Sequence, residues 1–157
     1  EPSNLVGPLF TDAAAVIAEL TEDLGATPFM LPVNATLYIE YPRVCPNPMD
    51  LGHIKEKWQH KKYHSLRELA GDIRLVWDNA RVFNNPSSEI YVSADTFSKK
   101  FETKYAQLNT KYGLAKDPPV IMTPDEYNAL YYSRLGPIPV QDDPKKVQPA
   151  NPKKRKQ

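Results

Sequence analysis

Two neighbouring asparagines, Asn84 and Asn85, close a long amphipathic segment, and their side-chain amides are the groups best suited to recognise a neutral polar ligand. An asparagine amide both donates and accepts hydrogen bonds without carrying charge. It also has a plain structural use at a helix end, as a cap, and on position alone both readings of Asn84 stand. Other candidate groups form weaker patterns. His53, His60 and His64 suggest a metal site, and His53 and His60 are seven apart, but no carboxylate or cysteine completes a set. Surface positions are expected for all three. Asp50 precedes an apolar-periodic run and reads as a helix N-cap rather than an acid. The single cysteine, Cys45, excludes an internal disulfide and a multi-cysteine zinc site. There is no nucleophile–base pair, no phosphate-cradling glycine loop and no paired carboxylate motif. The expectation is a chain that is not an enzyme and needs no metal or cofactor.

The elements that must position these side chains come from one compact body. A chain of 157 residues, 41% of them apolar, is enough for one core. Sixteen prolines against six glycines predict stiff, extended loops, because proline fixes φ and donates no hydrogen bond. No run of 18 apolar residues and no signal-like N-terminus is present, so no membrane partner is expected. Opening on Glu1 rather than methionine fits a piece of a longer protein. The net charge of +1 hides an excess of basic residues after Leu114 and a slightly acidic body before it, which suits a basic partner better than DNA.

Helical spacing predicts a first helix from Pro8 to Leu24, with Ala13, Val16, Ile17, Leu20 and Leu24 on its inner face and Gly25 as a left-handed stop. Ala26 to Pro48 then lacks periodicity and holds five prolines, yet it carries Phe29, Val33, Leu37, Ile39 and Tyr41. A loop of that length in a compact domain usually binds something. A second helix follows Asp50 and runs to about Lys61. The third starts at the Ser65–Glu68 capping box and keeps an apolar face to Phe83. The fourth spans Ser88 to Tyr112 and stops at Gly113. Four amphipathic helices with one long crossing loop predict an all-α, antiparallel four-helix bundle over residues 1–113. Residues 114–157 read as a Pro-rich extension with a short helix near 124–135, led by the Thr123–Glu126 capping box, and a basic tail. That helix either docks on the bundle or serves as a mobile recognition segment.

An apolar long loop facing a short loop of asparagines makes a greasy slot with a polar group at one end. A lysine ammonium there would lose its hydration without a counter-charge, at a cost of several kcal/mol or more. Acetylation removes the charge and adds a methyl and an amide carbonyl, both of which such a slot can accept.

The ordered set Pro28-Phe29-x-x-Pro32-Val33, Pro48-Met49-Asp50-Leu51, Tyr63-x-Ser65, Asp72-Ile73-x-Leu75 and Asn79-x-x-x-Phe83-Asn84-x-Pro86 closely resembles the bromodomain pattern across roughly residues 8–112. The resemblance implies a left-handed four-helix bundle that binds acetylated lysine. It makes Asn84 the anchor of the acetyl carbonyl, ahead of Asn85, whose spacing to Pro86 and Ile90 is one residue out. Tyr41, seven residues before Pro48, corresponds to a tyrosine that reaches the carbonyl through water, although alone it reads equally as a core tyrosine. Ile90 resembles a gatekeeper at the mouth. Phe29 and Val33 resemble floor and wall, Phe83 a wall on the third helix, and Leu37 and Ile39 the loop side. Where many members carry a tryptophan before the Pro-Phe pair, this chain has Ala26-Thr27. Asn34 replaces an acidic residue, and Pro42 a second tyrosine.

The expected partners are acetylated histone peptides and other acetylated nuclear proteins, drawn by Glu40 and Glu89 at the rim, and the expected role is to recruit a larger chromatin regulator. The Pro152–Lys156 run resembles a nuclear import signal, so a nuclear location is expected. Two other readings stay open: a scaffold that keeps the bundle without the ligand, and nucleic-acid binding through the basic tail.

Overall fold

The computed structural model describes residues 4–137. The basic tail, and with it the import-signal and nucleic-acid readings, lies outside the described residues. These residues form six α-helices and one 3-10 helix, with no strand among them. The bundle consists of α1 (Gly7–Glu22), α3 (Leu51–Gln59), α4 (Leu66–Phe83) and α5 (Glu89–Lys111). The long connection from α1 to α3 carries the 3-10 helix Leu24–Phe29 and a single turn, α2 (Tyr41–Val44). A last helix, α6, spans Pro124–Leu135. Among these described residues no helix is long and apolar enough to cross a membrane, and no three potential metal ligands come together. His53, His60 and His64 are exposed.

Local chemistry sets most boundaries. The Asp50 carboxylate accepts from the His53 amide at 2.8 Å and starts α3. Ser65 Oγ accepts from Glu68 N at 3.1 Å, while the Glu68 carboxylate reaches back to His64 N rather than to the cap itself. Gly113, at φ +63°, supplies the left-handed stop after α5. The end of α1 differs from expectation. It stops at Glu22 because Asp23 turns extended and its carboxylate accepts from Gly25 N at 2.8 Å, a local bond that competes with the helix. Gly25 is therefore not left-handed, and Leu24 is exposed rather than on the inner face.

The main core is centred on Trp77, which is fully buried. Its indole stacks on Phe97 with centroids 5.9 Å apart and meets Phe29 edge-on at 5.3 Å. A second, smaller core joins α6 to the bundle. There Tyr127, Tyr131 and Leu135 pack with Tyr41, Val44, Val82 and Phe83. Apolar packing thus continues past Gly113, and α6 is docked.

The linker between α5 and α6 is tied down by Asp117. Its carboxylate accepts from Tyr105 Oη at 2.6 Å and from Arg74 Nη1 at 3.1 Å. The Tyr105 hydroxyl, with Arg74 and Arg67 nearby, holds the Asp117 carboxyl below the usual aspartate range. A depressed folded-state value means protonation costs more in the folded protein than in the unfolded chain. The stabilisation is therefore complete above about pH 4 and is lost as pH falls through the depressed value. Thermal melts should find Asp117→Asn less stable than the parent at pH 7, with the gap narrowing at pH 3. An equal gap at both values would refute this role.

Candidate functional site

At one end of the bundle the long connection and the α4–α5 turn enclose a cavity of about 150 Å³, comparable to cavities that admit a benzene-sized guest. Helix α4 builds one wall at helical spacing: Val76, Ala80 and Asn84 follow one another every four residues, with Phe83 beside them. The long connection supplies Phe29, Val33, Tyr38 and Tyr41. Ile90, in the first turn of α5, also lines it. Met30 O holds the start of α3 against this loop through Gly52 N at 3.2 Å. A Cβ on Gly52 would sit 2.4 Å from that oxygen, so only glycine allows the approach.

Asn84 does cap α4, but the cap uses only part of its amide. Its Nδ2 donates to Ala80 O at 3.0 Å. Because a carbonyl oxygen can only accept, that bond fixes which end of the amide is nitrogen. The second Nδ2 hydrogen and Oδ1 have no protein partner among the described residues, and Asn84 lines the cavity. Asn85 is spent differently. It is buried, its Oδ1 accepts from Ser87 N and Oγ at 3.1 and 2.9 Å, and it does not line the cavity.

Tyr41 is buried, its ring edge-on to Phe83 at 4.8 Å. Burial, with the Cys45 sulfur and the Asp50 charge nearby, pushes its hydroxyl far above the usual tyrosine range. It therefore stays a neutral hydroxyl at any physiological pH. Asp50 is the one carboxylate in the wall, and one of its oxygens is committed to capping α3.

Six residues singled out in the sequence thus come together here: Asn84, Tyr41, Phe29, Val33, Phe83 and Ile90. Leu37 and Ile39 do not. They are 56% and 57% exposed and stand outside the wall. Asn34 is the cause: its side chain accepts from Thr36 N and Leu37 N at 2.9 and 3.1 Å, and its carbonyl from Tyr38 N. This side-chain turn rotates the register so that Tyr38 faces in, edge-on to Phe83 at 5.7 Å. Glu40 is also displaced from the expected rim; it is buried, whereas Glu89 is exposed. Ala26 is buried in the main core and does not line the cavity, whereas Pro28 and the exposed Leu31 do.

Residues 14–96 match the family model described as Bromodomain. The chain belongs to the bromodomain family. Among its relatives is the Arabidopsis thaliana protein named Transcription factor GTE1, 34% identical over 106 residues that make up 66% of this chain and 27% of the relative. Another is Bromodomain adjacent to zinc finger domain protein 2B of Homo sapiens, 38% identical over 90 residues, 57% of this chain and 4% of the relative. The bromodomain therefore spans well under two thirds of either relative's length.

Proposed function

We propose that this bromodomain is a non-enzymatic reader of acetylated lysine, with Asn84 hydrogen-bonding the acetyl carbonyl and Tyr41 contacting it through water. The observation that carries the reading is an amide with a spare N–H at the end of a mostly apolar cavity. The alkyl stem and the acetyl methyl lie against Val33, Phe83 and Ile90, with Phe29 beneath. An ammonium would be stripped of water there, with only the partly committed Asp50 to compensate. The cavity is formed by the chain alone, which supports a reader over a scaffold that has lost its ligand.

The partners that fit are acetylated histone tails and other acetylated nuclear proteins, and the place of action is the nucleus. Relatives named as transcription factors support that setting, as does a role in bringing a larger regulator to acetylated chromatin. Glu89, exposed and next in the chain to the cavity-lining Ile90, attracts the basic residues that flank such marks. Soaking crystals with N-methylacetamide tests the pocket directly. The expected result is the amide carbonyl within hydrogen-bonding distance of Asn84 Nδ2; an empty cavity at saturating acetamide would refute the assignment.

A further inference from the structure

Helix α6 lies beyond the matched residues 14–96, yet it is wired to the element that carries Tyr41. Arg43, on α2, donates from Nη1 to the carbonyl of Leu135, the last residue of α6, at 3.0 Å. Arg134, on α6, donates from Nη1 to the carbonyl of Val44, the last residue of α2, at 2.9 Å. Each guanidinium thus caps the C-terminal end of the other helix, where carbonyls lack intrahelical partners and the dipole favours a cation.

The helix α2 needs this support. It has four residues, too short to hold itself, and its own cap has no side-chain bond. Between the two helices stands Phe83, which meets Tyr41 on one side at 4.8 Å and Tyr131 of α6 at 6.2 Å. Tyr127 adds a further tie to α4, donating to Asp78 Oδ1 at 2.8 Å. The Tyr41 ring and the Phe83 wall thus pack in one cluster with α6.

We propose that α6 is a working part of the ligand site, with Arg43 and Arg134 as positioning residues that hold Tyr41 in place. The proposal rests on the acetyl-lysine reading above. Coupling of this kind is reciprocal: if docking of α6 strengthens ligand binding, ligand must strengthen docking of α6 by the same factor.

Two measurements on the full chain test it with an Nε-acetyl-lysine peptide as probe. In hydrogen exchange, saturating peptide should slow the amides of 124–135 in the parent protein. In titration calorimetry, the double variant Arg43→Ala, Arg134→Ala should bind about five-fold or more weakly than the parent. Arg134→Lys alone, which keeps a donor and the charge, should recover part of that loss. If the double variant fails to fold, the exchange experiment on the parent still decides. Unchanged exchange in α6 on ligand binding would overturn the proposal, as would parent-like affinity in a folded double variant. A parent that binds no acetylated peptide would instead overturn the acetyl-lysine reading itself.

Discussion

Asn84→Ala should weaken binding of an acetyl-lysine peptide about ten- to a hundred-fold, the equivalent of roughly 1–3 kcal/mol for one buried hydrogen bond. The substitution removes the one side-chain amide in the wall; Phe83, Val33 and Ile90 have no donor to offer in its place, and Tyr41 is assigned a contact only through water. It also removes the Nδ2 bond to Ala80 O, so a stability loss of about 1 kcal/mol is expected alongside. Affinity and stability can be separated with two further variants. Asn84→Asp keeps the shape but carries no donor at neutral pH, so it should bind as poorly as the alanine variant. Asn85→Ala should lower the melting temperature, because it releases Ser87 from the turn, yet leave more of the affinity intact. Calorimetric titration of the four proteins with one peptide gives the comparison. Parent-like affinity in Asn84→Ala would remove the anchor from the account.

Trp77→Ala should have the largest effect on stability, about 3–5 kcal/mol, as expected for deleting a fully buried aromatic side chain. The loss is not confined to the core. Phe29 rests edge-on against the indole and lines the cavity, so the folded fraction of the variant should also bind ligand more weakly. Trp77→Phe should be much milder. The indole N–H of Trp77 has no hydrogen-bond partner among the described residues, so phenylalanine forfeits volume and stacking area but no bond. Denaturant melts give the two stabilities. If Trp77→Ala costs no more than Trp77→Phe, the indole is not the centre of the core.

Much of this was legible in the sequence because it rests on short-range rules. Asp50, Ser65 and Thr123 each precede an apolar-periodic run, and each caps the helix that follows. Phe83 could be placed on the inner face of its helix because a helix fixes the direction of every side chain once its register is known, whereas the pocket roles of Phe83 and Asn84 came from the resemblance. The same periodicity extends to Ala80 and Val76, four and eight residues before Asn84, and would have found both. The long connection was less legible, since no period governs it. There a single side chain, Asn34, decides which of Leu37, Tyr38 and Ile39 turns inward. Asx turns carry a local signal, and Asn34 two residues before Thr36 was the available one. The ties of α6 to α2 were invisible for another reason: Arg43 and Leu135 are 92 residues apart, and nothing local to either announces the other.

The central claim is that the cavity selects lysine only when its charge has been removed. Titration calorimetry of the parent protein with one histone-tail peptide, unmodified and with a single Nε-acetyl-lysine, tests it most directly. Burying an ammonium with only the partly committed Asp50 to compensate is costly, so the acetylated peptide should bind at least about thirty-fold more tightly, equivalent to about 2 kcal/mol. Equal affinity for the two peptides would contradict it.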